Sequence, residues 1–296
     1  MAKTKKFEMT KVEKNDVGTR IKKGVLGFFL NAILIIFSAT CIFPLVWMLY
    51  SSLKEKRVFN ADIIGLPKSP TLTNYINILT NTDYHLGRSM KNSLVVTVCS
   101  VALIVFFSFI VGYILARVRF KLNRVLHVMF LMGMLIPIHS LLVPIYLVFR
   151  NTNLSNHWYT LIIPYTAFAM PMAVFLVEGF VQGVPSALEE AAAIDGSSFT
   201  RTLFLIIMPV CRPIMTTVAI INVFTCWNEF SFALVLLRDQ GLHTVPLAMT
   251  QFTGQFASDY PKIMAAMLLT MSPIVVLYFV GSKQIIKGMV AGAVKG

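Results

Sequence analysis

One carboxylate stands out by its surroundings. Glu229 interrupts the otherwise uncharged stretch 213–237, directly after Trp227 and Asn228. An acid among residues apolar enough to lie in lipid is costly, and its default reading is a role in a solute path. A polar contact to Asn228 or to a neighbouring helix is the structural alternative, and both readings stay open. Trp227, Asn228 and Glu229 are therefore the candidate translocation-path residues. A second group, Glu189-Glu190-Ala191-Ala192-Ala193-Ile194-Asp195-Gly196, has the types expected of a short docking helix. Pro185 suits a first helical turn, where its missing N–H costs nothing. Glu189 and Glu190 near that start favour the positive end of the helix dipole. The three alanines form helix well and carry almost no bulk. Gly196 can take the left-handed conformation that stops a helix. Ser197 or Ser198 can then cap a second short helix over 200–207, which Pro209 interrupts. The product is two short helices joined by a tight turn, with a flat alanine face able to enter a narrow cleft. An ordinary amphipathic interfacial helix would share much of this pattern.

Other chemistries find no support. There is no HExxH, no GxSxG and no paired acid–His set within the apolar stretches, so no catalytic residue is predicted. No metal-ligating or cofactor-binding residue is predicted either. A GxxxxGK[ST] phosphate loop is missing from the sequence, so any nucleotide-driven work belongs to a partner. Glu178 reads as a solvated helix terminus, and His139 as a satisfied buried imidazole, with a place in the lining of a cavity as its alternative. The four cysteines, at 41, 99, 211 and 226, lie in or beside apolar stretches and read as free, small hydrophobes.

The elements that must position these residues are membrane spans. The 296 residues are 56% hydrophobic and only 13% charged, about half the charged share of an ordinary soluble domain. Stretches 24–53, 92–116, 125–149 and 158–177 lack Asp, Glu, Lys and Arg, and 263–282 and 213–237 complete six. A ~30 Å hydrocarbon core takes ~20 helical residues, and backbone in lipid must bond internally, so the prediction is an all-α integral membrane protein with about six spans. With the N-terminus inside, seventeen of the 26 Lys and Arg residues fall on the cytoplasmic side and nine outside. Short-loop Lys/Arg bias sets orientation, so both termini are expected inside. That distribution makes the basic excess a set of topology anchors and argues against nucleic acid as a partner.

The expected organisation has three parts. A basic cytoplasmic head, 1–23, lacks apolar periodicity and is expected to be unstructured or to lie on the anionic leaflet. A membrane domain, 24–282, includes the polar loop 185–209, expected on the cytoplasmic side. A cytoplasmic tail, 283–296, comes after the last span. Pro137 and Pro144 predict a kink or break in the third span, the outer loop 51–91 is expected to hold a short helical piece over 74–79, and 238–262 reads as an outer loop.

The loop also carries a resemblance. Glu190-Ala191-Ala192-Ala193-Ile194-Asp195-Gly196, with Ile206-Ile207-Met208-Pro209 ten residues on, resembles the EAA loop of ABC importer permeases, with Met208 where Leu is usual. Asn92-Ser93-Leu94, Leu161-Ile162-Ile163-Pro164-Tyr165, Trp227-Asn228-Glu229-Phe230 and the ending Ala291–Gly296 are similar to the carbohydrate branch, the maltose-permease-G-like subunits. The resemblance implies a type I (MetI-like) importer fold in a bacterial cytoplasmic membrane. It implies ATPase docking through Glu189, Glu190, Ala191, Ala192, Ala193, Asp195, Gly196 and Pro209. It also implies a second homologous permease, a cytosolic P-loop ATPase dimer that uses ATP and Mg, and an external sugar-binding protein. A non-sugar solute, or an ion-gradient-driven secondary transporter, is the alternative function.

Overall fold

The computed structural model describes residues 2–80, 85–255 and 259–293 and is all helix and loop among them. Helix α1, Ala2–Ser51, leads to two short outer helices, α2, Lys56–Ala61, and α3, Thr73–Thr80. Then come α4, Leu86–Arg117; α5, Asn123–Gly133; α6, Ile138–Asn151; and α7, Ile162–Val181. The loop expected on the cytoplasmic side holds α8, Ala187–Ile194; α9, Phe199–Arg201; a π-helical turn, Thr202–Ile207; and α10, Met208–Val210. The chain ends with α11, Arg212–Asn228; α12, Ser231–Leu236; α13, Val245–Gln255; and α14, Tyr260–Ala293.

Among the described residues, four helices are long and apolar enough to cross a membrane by themselves: Leu26–Ser51, Leu86–Arg117, Ile162–Val181 and Tyr260–Gly281. Two bent pairs, each counted as one span, bring the number to six. The third expected span is broken more sharply than a kink, because α5 and α6 meet at 102°. Pro137, at the start of α6, cannot donate a backbone hydrogen bond, which ends the ladder there. The fifth span turns through 74° between Phe199–Val210 and Arg212–Asn228, with Pro213 in the first turn of α11.

Several boundaries differ from expectation. The basic head is helix from Ala2 and continuous with the first span; Lys and Glu are good helix formers, so the segment can be helical without apolar periodicity. The last span runs on as helix to Ala293, past the expected end near residue 282, and residues 294–296 lie outside the described ones. The outer loop 238–262 contains α13, which its polar composition hid. Helix α3 confirms the short piece expected at 74–79.

The bundle is organised around α4 and α7, which pack most extensively. Lipid removes most of the hydrophobic drive between helices, so close packing and small residues decide where they meet. Gly112 of α4 allows this contact: a Cβ there would lie 2.8 Å from Cγ1 of Val177 and 3.0 Å from the backbone N of Glu178. Ile104 and Phe109 of α4, Val177 and Val181 of α7, and Ile214 and Val218 of α11 form one buried core. Helix α1 stays outside it, with its apolar stretch exposed and its packing mainly against α14. Outside the spans, buried Lys54 fastens the first outer loop, donating to the Asp62 carbonyl at 2.8 Å beneath the rings of Tyr50 and Phe59.

Candidate functional site

The loop 185–209 folds as two helical pieces about one glycine. Gly196 has φ +75°, and two hydrogen bonds close the turn around it: Ser197 N to the Ala192 carbonyl at 2.9 Å, and Gly196 N to the Ala193 carbonyl at 3.0 Å. This is the paired pattern of a Schellman stop. Of the two serines, Ser198 is the cap, its Oγ accepting from the backbone N of Arg201 at 3.4 Å. Pro209 does not interrupt the second helical piece. Its ring would clash with the carbonyl four residues back in an α-helix. The chain instead widens into a π turn, in which the Met208 N–H donates to the Leu203 carbonyl, and the helix continues to Val210.

The two acids divide their work. Glu189 accepts from Arg117 Nε at 3.1 Å, and the same guanidinium donates to the Val184 carbonyl. Arg117 is the last residue of α4, so this pair fixes the base of α8 to the inner end of a membrane span. Glu190 is exposed, and so are Ala191, Ala193, Asp195 and Gly196. The expected alanine face is corrected at one residue: Ala192 is buried and packs inward. The outward face is completed by Ile194, 87% exposed, and Phe199, 55% exposed. Composition had not singled out these two, although an apolar side chain beside Asp195 and Gly196 was visible. Phe199 also rests on the Tyr113 ring of α4, centroids 5.8 Å apart.

The second candidate group is split by the fold. Glu229 ends α11 rather than lying within a helix, and it holds the start of α12. Its Oε1 accepts from Phe232 N at 2.8 Å, and its Oε2 from Tyr165 OH at 2.8 Å and Ala233 N at 3.4 Å. A cavity of about 180 Å³ opens beside it, lined by Tyr165, Phe168, Asn222, Thr225 and Glu229 among others. Trp227 is buried away from this cavity and donates to the Thr270 carbonyl of α14 at 3.3 Å. Asn228 is exposed and bonds back to Phe224 O at 2.9 Å. Of the three, only Glu229 lines this cavity, while Asn228 is exposed and Trp227 is buried against α14.

Glu178 is not a solvated terminus. Its side chain is 8% exposed, its Oε2 lies 2.9 Å from His127 Nδ1 of α5, and Gln182 donates to its Oε1 at 3.3 Å. His139 is exposed on α6, not a buried imidazole. Of the cysteines, Cys211 and Cys226 are buried, Cys99 is partly buried, and Cys41 is exposed; all four are free.

Residues 105–289, well over half of the chain, match the family described as binding-protein-dependent transport system inner membrane component. The chain belongs to that family. This permease is 32% identical to a sulfoquinovosyl glycerol transport system permease of Agrobacterium fabrum, over 86% of this chain and 89% of the relative. It is 34% identical to the melibiose/raffinose/stachyose import permease of Bacillus subtilis, over 86% of this chain and 91% of the relative. In fold it is similar to a chain of a bacterial ABC transporter involved in alginate import, with a TM-score of 0.78 at 20% identity, covering 88% of the permease and 97% of that chain. The six-span, all-helical prediction and the importer-permease fold agree with these likenesses, as does an inner-membrane location.

Proposed function

We propose that this permease forms half of the path of an ATP-driven importer for sugars or oligosaccharides, with the loop 185–209 as its docking element for a cytosolic ATPase. The observation that carries the reading is the build of that loop. Its exposed face offers Glu190, Ala191, Ala193 and Ile194, while its base is held to α4 by Glu189 and Arg117. Its far end passes through the π turn into α11. A partner seated on the exposed face therefore pulls on two core helices at once.

ATP and Mg are used by the partner P-loop ATPase dimer, and this chain contributes no catalytic residue. A second, homologous permease supplies the other half of the path, and an external binding protein delivers the solute. A nucleotide shifts such an assembly between inward- and outward-open states only by favouring one of them. The names of the two curated relatives support a glycoside or oligosaccharide as solute. The cavity beside Glu229 supports it chemically: Tyr165, Asn222, Thr225 and Glu229 bring hydroxyl, amide and carboxylate groups, the types that hydrogen-bond sugar hydroxyls, among apolar and aromatic neighbours.

Ile194→Asp and Glu190→Lys test the docking role. Both sites are exposed, so insertion and fold should be unchanged. The expected outcome is loss of ATPase co-purification together with loss of uptake across a panel of labelled oligosaccharides supplied with the binding protein. Full co-purification and full uptake in both variants would overturn the assignment.

A further inference from the structure

The turn between α4 and α5 carries more positive charge than the loop beside it uses. Residues 115–124 fold around a hollow of about 620 Å³ whose opposite wall is formed by Ser186 and Glu189 at the base of α8. Arg117, Arg119, Lys121 and Arg124 line it, against the single carboxylate of Glu189. That carboxylate is already engaged by Arg117 at 3.1 Å. Arg119, Lys121 and Arg124 are exposed and make no ion pair among the described residues. Setting orientation requires the charges on one side of the membrane but does not require them around one concavity.

The depth of this hollow narrows its occupant. Helix α4 ends as a membrane span at Arg117, and α5 starts at Asn123, so the turn lies where hydrocarbon gives way to headgroups. Exposed apolar residues alternate with the cations: Phe120, Leu122 and Val125. A soluble anion or an acidic protein face has no use for them, whereas a phospholipid presents phosphate oxygens and acyl chains side by side. Basic hollows at the cytoplasmic ends of spans suit such headgroups.

We propose that this hollow binds the phosphate of an anionic phospholipid of the inner leaflet, with Arg119, Lys121 and Arg124 around the phosphate and Phe120, Leu122 and Val125 along the acyl chains. Arg117 stays with Glu189, so the lipid anchors the base of the docking loop without competing for its ion pair. The inference rests on the cytoplasmic placement of this turn and is independent of the transported solute.

The test uses the assembled importer in nanodiscs of equimolar phosphatidylcholine and phosphatidylglycerol, with retained lipids counted by native mass spectrometry after delipidation. The wild-type complex should keep phosphatidylglycerol in preference to phosphatidylcholine. Each of Arg119→Gln, Lys121→Gln and Arg124→Gln should weaken that retention about fivefold, and the triple variant about a hundredfold. The wild-type comparison stands even where the triple variant inserts poorly. Equal retention of the two lipids, or unchanged retention in the triple variant, would overturn the site. Displacement by millimolar glycerol phosphate would make it a soluble-anion site and overturn the lipid assignment. So would loss of the ATPase from the triple variant in phosphatidylcholine discs with phosphatidylglycerol retention intact in the mixed ones, because the cations would then face the protein partner.

Discussion

Gly196 offers the sharpest perturbation, because its cost can be separated into backbone and contact parts. Its φ of +75° lies in the region that L-residues avoid, and an added Cβ would meet nothing within 4 Å. Gly196→Ala therefore costs only backbone strain, ~1–2 kcal/mol. Opposing that strain are the two turn hydrogen bonds, at 2.9 and 3.0 Å, each worth ~0.5–1.5 kcal/mol net. The two sums are comparable, so the alanine variant should populate the native turn and an unwound one to similar extents. Asn tolerates the left-handed conformation and should keep most of the turn. Proline, fixed at φ near −65°, cannot form it at all. The spans do not depend on this turn, so all three variants should insert normally. Uptake and ATPase association should then fall in the order Asn, Ala, Pro, with Asn near wild type and Pro near zero. Both are measured in the same membranes, normalised to permease content. A proline variant that couples normally, or an asparagine variant worse than alanine, would refute the reasoning.

Glu229→Gln keeps shape but removes the charge that accepts from Phe232 N, Ala233 N and Tyr165 OH. Charge-assisted bonds exceed neutral ones by about 1 kcal/mol each, so uptake should fall while the assembled complex survives; loss of assembly would show a purely structural role. Arg117→Ala strands the partly buried Glu189 and frees the base of α8. We expect a loss of about 1–3 kcal/mol, between the exposed and buried limits for ion pairs, and a double-mutant cycle with Glu189→Ala should recover part of it in thermal unfolding. Gly112→Val must push α4 from α7 against the Val177 side chain and the Glu178 backbone. The expected overpacking cost is about 1–3 kcal/mol or more, read as a lower melting temperature of the purified complex, and an unchanged value would show that the interface yields.

Whatever is local was legible in the sequence. Uncharged runs of 20 residues or more, and one long run broken only by Glu229, mark the spans, and lipid makes them helical because it offers the backbone no other partner. The position of Gly196 announces its stop, because positive φ is nearly a property of that residue alone. Ser198 as a cap and the break at Pro137 are of the same kind. The π turn before Pro209 was less readable: proline signals an interruption, but whether the helix ends or widens depends on what the next helix needs.

The tertiary structure decided which polar groups are engaged. Glu189 and Glu190 are chemically identical neighbours, and only the return of α4, 72 residues earlier, takes Glu189 for Arg117 and leaves Glu190 facing out. Glu178 looked like a solvated end until α5 brought His127 against it from 51 residues away. Trp227 and Glu229 are two residues apart, yet one is spent on α14 and the other on α7 and α12. Side-chain partners at such separations are set by helix packing, which in a membrane depends on close contacts such as Gly112 against Val177 rather than on apolar pattern. The sequence determined where helices lie and which residues could do chemistry, and the packing determined which of those residues remain free to do it.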